Sequence, residues 1–83
     1  MTIEQHRKEN FQTFDLGCAA TLVTDNFRLV KLDKFNPKKV LFCFEHHEDI
    51  NKAVENYFSG NFQVDALAFF NALKNLKNRL YST

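Results

Sequence analysis

The apolar residues near the end of the chain recur with the period of an α-helix. Between residues 64 and 81 they are spaced three or four positions apart, at Ala66, Phe69, Leu73, Leu76 and Leu80. This spacing places them on one face of a helix that contains no Gly or Pro. An isolated helix with such a face is unstable in water, so the rest of the chain has to cover it.

Two shorter helices are predicted upstream. The first covers residues 16–24, capped by Asp15 or Thr13 and ended by Asp25 and Asn26. Its small residues at 17–20 let another element approach closely. The second covers residues 48–58 and ends before Gly60, with five residues predicted to be buried: Ile50, Ala53, Val54, Tyr57 and Phe58.

Strand patterns lie between these helices. Residues 27–33 and 39–45 form a predicted antiparallel hairpin, whose loop of about four to six residues is centred on 35–38. The second strand is apolar on both faces, which is typical of a central strand. Because two strands are marginally stable, a third is expected, either residues 11–14 or the same strand of a second copy. The prediction is an α+β fold of order (β)-α-β-β-α-α, with a flexible arm at 1–10 and one globular domain at 11–83.

Composition narrows the function classes. The chain has 83 residues, including ten Phe, two Cys and no Trp, and a net charge of +1. The Phe content makes disorder implausible, and the near-zero charge argues against nucleic-acid binding by bulk charge alone while leaving a local basic patch open. Without a signal-peptide core or a long apolar run, we expect a cytoplasmic protein with reduced thiols and no membrane association.

Three blocks of the sequence resemble a known family. They are TFDLGCAA at residues 13–20, KVLFCFE at 39–45, and the stretch from YFSG at 57–60 through LKNLK at 73–77. The chain resembles, over about residues 11–81, a family of small bacterial and phage proteins known only as a domain of unknown function. The resemblance implies a compact stand-alone domain and supplies no catalytic or ligand residues.

Two groups of basic and aromatic residues are the candidate binding residues. One lies at the hairpin tip and the other at the end of the last helix: Lys31, Lys34, Phe35, Lys38, Lys39, Lys74, Lys77, Asn78, Arg79 and Tyr81. Lysines bind phosphate and aromatic rings stack on bases. The alternative is that the lysines protect an exposed strand edge, Phe35 folds back onto the core, and Tyr81 caps the core.

Metal and catalytic chemistry are weakly indicated. Cys43, His46 and His47 lie close in sequence, and Cys18 and His6 are also available, but the second pair that zinc requires is missing. Cys43 lies inside an apolar strand, where we expect a buried, unreactive thiol. We therefore predict no metal, no cofactor and no enzymatic activity.

The sequence thus predicts a small binding domain that engages nucleic acid through the hairpin tip and the basic end of the last helix. If these two regions face the same way, they form one basic surface. The alternative function is a protein-binding accessory or inhibitor of the phage or mobile-element type. Surplus apolar surface could serve such a partner or a homodimer.

Overall fold

The computed structural model describes residues 10–82, so most of the predicted arm at 1–10 lies outside the described residues. The elements are β1 (Phe11–Thr13), α1 (Leu16–Thr24), β2 (Leu29–Asp33), β3 (Leu41–Phe44), α2 (Ile50–Ser59) and α3 (Ala66–Tyr81). The α+β class and the order β-α-β-β-α-α are confirmed. Within residues 10–82, the helices are too short or too polar to cross a membrane.

β3 is the central strand of a three-stranded antiparallel sheet of order β1-β3-β2. Phe11 and Leu29 lie opposite Phe44, whereas Gln12 and Lys31 lie opposite Cys43 on the other face of the sheet. The continuous apolar run of this strand is explained by its position, because Phe42, Cys43 and Phe44 are all buried. The third strand comes from the chain itself, so the sheet needs no second copy to supply it.

α1 forms the centre of the core. Cys18, Ala19, Ala20 and Leu22 are fully buried, and α1 packs against both α2 and α3. The carboxylate of Asp15 accepts the backbone N–H of Cys18 at 2.7 Å, which confirms the predicted N-cap. The small side chains along this helix allow two helices to approach it.

α3 buries Ala72 and Leu76 and half-buries Phe69, Leu73 and Leu80. Two predicted core positions are wrong. Ala66 is exposed because it lies about 60° from the centre of the buried face, in a first turn that extends past the covered part of the helix. Phe58 on α2 is 62% exposed, since it lies about 75° from the centre of the face formed by Ile50, Val54 and Tyr57.

The hairpin loop is longer than predicted, because β2 ends at Asp33 and β3 begins only at Leu41. Side chains of the loop cap its own backbone. The Asp33 carboxylate accepts the N–H of Phe35 at 3.0 Å, and the Asn36 side-chain oxygen accepts the N–H of Lys38 at 2.9 Å. Lys39, predicted to lie in the strand, is therefore part of an ordered hairpin tip.

Candidate nucleic-acid interface

The hairpin tip and the end of α3 are joined by one side chain. The ammonium group of Lys34 donates to the backbone carbonyl oxygens of Arg79 at 2.5 Å and Ser82 at 2.8 Å. The last carbonyls of a helix have no intrahelical partner and attract a positive charge. The two basic groups predicted from the sequence therefore lie side by side.

Three aromatic side chains around this junction are exposed. Phe35 is 95%, Tyr81 83% and Phe14 54% exposed. A small depression of about 160 Å³ separates Phe14 from Phe35, and Lys39 also lines it. A neighbouring cleft of about 550 Å³ is lined by Phe14 and Lys39 again, together with Lys38 and Tyr81. We call Phe14, Phe35, Lys38, Lys39 and Tyr81 the tip surface.

Within the tip surface, the ammonium nitrogen of Lys39 lies 5.1 Å from the centre of the Phe14 ring. This distance is within the range of a cation–π contact. Phe14 was not among the candidate residues predicted from the sequence. It directly follows β1 and lines the same cleft as Tyr81, a contact between segments that are far apart in the chain.

Lys31 and Arg79 line a second groove, of about 280 Å³, together with Lys34. Arg79 and Tyr81 lie about 200° apart around α3, so they belong to different sides of the helix. The predicted site residues therefore fall into two groups, the tip surface and the Lys31–Arg79 groove. The hydrogen bonds from Lys34 to the end of α3 lie between these two groups.

Lys74, Lys77 and Asn78 are exposed on α3 before its last turn. Lys77 precedes Tyr81 by about 6 Å along the helix axis, and Lys74 precedes it by about 10 Å. The ammonium nitrogen of Lys74 lies 5.5 Å from the centre of the Phe70 ring. These residues extend the exposed side of α3 away from the hairpin tip.

Acidic residues concentrate at the other end of the hairpin. Leu29 pairs with Phe44 at that end, and Asp33 pairs with Leu41 near the tip. Glu45, which follows β3 there, is 3.9 Å from Arg28. Asp25 and Asp49 line a cleft of about 530 Å³ that also contains Phe27, Lys52, Asn56, Phe62 and other residues of the α2 side. Two acidic residues lie nearer the tip: Asp33 lines the depression beside Phe35, and the exposed Asp15 directly follows Phe14.

The structure contradicts two alternatives, in which Phe35 and Tyr81 pack against the core. Phe35 does not fold back onto the core, because almost its entire side chain is exposed. Tyr81 does not cap the core either; it lines the cleft beside Leu80, which is the residue that packs inward. Both rings are therefore accessible to a ligand.

The two cysteines are buried and free. Burial raises the pKa of the Cys18 thiol to about 11, and the negative charge of Asp15 adds to this effect. The Cys43 sulfur lies 3.7 Å from the side-chain nitrogen of Gln12. Among residues 10–82 no three His, Cys, Asp or Glu side chains are placed to hold a metal ion together, and His6 lies outside this range.

The family model described as "Domain of unknown function (DUF5659)" matches residues 8–82. No curated protein and no solved structure matches the chain.

Proposed function

The chain belongs to the family described as a domain of unknown function (DUF5659), and we propose that it is a non-enzymatic domain that binds nucleic acid through the tip surface. The observation behind this proposal is that three exposed rings and two exposed lysines share one end of the molecule. The two buried, unpaired thiols suit the cytoplasmic location that is part of the proposal.

Exposed rings are the first support. A small domain gains stability by burying Phe, so a Phe that is 95% exposed contributes almost nothing to folding. Phe35, Phe14 and Tyr81 together offer flat faces on which bases can stack, each worth about 1–3 kcal/mol per base by comparison with other single-strand binders. Their shared location favours a ligand that contains several bases.

The local charge is the second support. There is no Asp or Glu between Lys34 and Phe44, or between Ala66 and Thr83. Even with the adjacent Asp33 counted, the tip and the end of α3 hold more basic than acidic residues, although the whole chain carries a net charge of only +1. Such a local excess binds phosphates and releases counterions, and the affinity then depends on salt.

A salt series tests the proposal. Binding of fluorescein-labelled oligo(dT) and oligo(rU) would be followed by anisotropy, and log Kd plotted against log salt should give a slope that falls by about 0.7 for each contacting lysine removed. We expect Lys38→Ala and Lys39→Ala to lower the slope. Phe35→Ala and Tyr81→Ala should weaken binding and leave the slope unchanged.

The matched controls lie on α2. Lys52→Ala removes an exposed lysine at the acidic end, and Phe58→Ala removes an exposed ring away from the tip surface. Neither should alter oligonucleotide affinity. Absence of binding at low salt, or equal losses in the tip and control variants, would reject the proposal.

A protein-binding role is the second candidate, because Leu67 on the first turn of α3 and Phe58 on α2 are both exposed. Exposed large apolar side chains of this kind are contacts that a protein partner would bury. Such a partner could be a larger complex or a second copy. Analytical ultracentrifugation of the wild type and of Leu67→Asp tests the second copy directly, since a dimer using this surface would dissociate in the variant.

A further inference from the structure

We propose that the ligand is a single strand of nucleic acid that continues from the tip surface along the exposed side of α3, over Tyr81, Lys77, Lys74 and Phe70. This inference rests on the proposed function and specifies the chemical class and the path of the ligand. We call Phe70, Lys74, Lys77 and Tyr81 the α3 row.

The helix geometry makes the α3 row straight. At about 100° per residue, its four members lie within about 60° of one another around the helix axis. They face away from Ala72 and Leu76, the buried residues of α3. From Phe70 to Tyr81 the row is about 16 Å long. It begins at the tip surface because Tyr81 belongs to both.

Rings and ammonium groups occur in the same combination along the whole path. Lys39 lies 5.1 Å from the Phe14 ring at one end, and Lys74 lies 5.5 Å from the Phe70 ring at the other. Such a pair presents a stacking face and a cation to a nucleotide, which itself combines a base with a phosphate. The exposed amides of Asn71 and Asn78 flank the row and can hydrogen-bond base edges.

The lysines of the row have no competing carboxylate in the described part of the chain. The ion pairs within 4 Å among residues 10–82 are Arg28–Glu45 and His47–Asp49, both outside α3. Within a turn of Lys74 and Lys77 in sequence there is no Asp or Glu. Both ammonium groups are thus available for phosphates.

The exposed rings are the reason for inferring a single-stranded ligand and not a duplex. Bases in a duplex are stacked on one another and present only their edges in the grooves, so side-chain rings cannot stack on them without unpairing. A single strand offers its base faces at no such cost. Rings at Phe35, Phe14, Tyr81 and Phe70 therefore favour an unpaired ligand.

A length series tests the path. Oligo(dT) and oligo(rU) of about 4 and about 12 nucleotides would be compared by anisotropy, together with a duplex of the longer length. The tip surface alone accommodates the short strand, so we expect the long one to bind about tenfold more tightly or better, and both to exceed the duplex.

Variants separate the path from the tip. The double substitution Lys74→Ala with Lys77→Ala should lower the affinity for the long strand about tenfold, lower its salt slope by about 1.4, and leave the short strand unchanged. The control Lys52→Ala should change neither. Retention of the circular dichroism spectrum and the melting temperature confirms that the double variant is folded.

Three outcomes would overturn the inference. If both lengths bind with equal affinity while the tip variants still bind more weakly than the wild type, the strand does not follow α3. The proposed function then stands. Tighter binding of the duplex removes the single-strand assignment. Loss of all oligonucleotide binding in every experiment rejects the proposed function itself, and the α3 row is then a candidate surface for a protein partner.

Discussion

The ammonium group of Lys34 caps the end of α3 by donating to the carbonyl oxygen of Arg79, 45 residues later in the chain. It also donates to Ser82, so two of its three donors serve the protein itself. This link fixes the hairpin tip against the last turn of the helix. Lys34 is therefore a positioning residue for the neighbouring surface more than a phosphate ligand.

Replacing Lys34 by Met should loosen the end of α3. We expect the free energy of unfolding to fall by about 1 kcal/mol, because two charge-assisted hydrogen bonds at an exposed site are lost. Hydrogen exchange of the amides of residues 78–81 should accelerate. Lys38→Met is the control, because among residues 10–82 the Lys38 side chain makes no hydrogen bond to the carbonyls at the end of α3; equal acceleration in both variants would contradict the capping role.

Gly17 on α1 allows the close approach of α2. A Cβ atom at this position would overlap the hydroxyl oxygen of Tyr57 and lie 3.3 Å from a carboxylate oxygen of Asp15. The hydroxyl itself donates to that carboxylate over 3.4 Å. The Tyr57 ring cannot move away freely, since it contacts the rings of Phe58 and Phe62 at centroid distances of 4.9 and 5.3 Å.

Gly17→Ala should therefore destabilise the fold by about 1–2 kcal/mol, despite the better helix propensity of Ala. Tyr57→Phe removes the overlapping oxygen, so the double variant should be more stable than the sum of the two single changes. A double-mutant cycle in urea measures this coupling. Additive effects would show that the helices adjust without strain.

The fold was largely predictable because each element has its own local signal. The bounds of α1 are the predicted ones, since Asp15 starts it and Asn26, with φ of 72°, ends it. The central position of β3 followed from its unbroken apolar run. Gly60, with φ of 80°, ends α2 as predicted. These features depend on residues close to one another in sequence.

The candidate site was less predictable because it depends on contacts between distant segments. The lysines of the tip and of α3 were identified from the sequence. Their separation into two groups, on either side of Lys34, depends on how α3 crosses the hairpin. Phe14 was missed because it lies 21 residues before Phe35 in the chain. Periodicity marks which side of an element is apolar, and it leaves open whether a neighbour is long enough to cover it, as Ala66 shows.

The buried thiol of Cys18 should make the fold sensitive to alkaline pH. Its pKa is raised from an ordinary value of 9.0 to about 11 by burial and by the nearby Asp15 carboxylate. Below pH 9 both the folded and the unfolded chain keep the proton. Between about pH 9 and 11 only the unfolded chain releases it, so the free energy of unfolding falls as pH rises, by up to about 1.4 kcal/mol per unit.

Urea unfolding at intervals from pH 7 to 11 measures this fall. The Cys18→Ala variant should lose less stability over that range, although its stability at pH 7 is lower because of the missing sulfur. Part of the fall should persist, because burial and Asp15 also raise the pKa of Tyr57. Parallel curves for the wild type and the variant would exclude Cys18 as the titrating group.

Phe35 and Phe42 provide the clearest contrast between an exposed ring and a ring buried in the core. Phe42 is 1% exposed in the hydrophobic core, whereas Phe35 is exposed at the hairpin tip. Phe42→Ala should cost about 3–5 kcal/mol, which is a large part of the stability of a domain this small. Phe35→Ala should change the free energy of unfolding by less than about 0.5 kcal/mol.

Urea denaturation of both variants gives these values, and the same Phe35→Ala protein is then used for oligonucleotide binding. Unchanged stability with weakened binding assigns the ring to the ligand. If Phe35→Ala instead destabilises the fold by more than about 1 kcal/mol, the ring packs against the protein in solution. The tip surface would then lose its most exposed stacking face, and the case for nucleic acid at this end would fail with it.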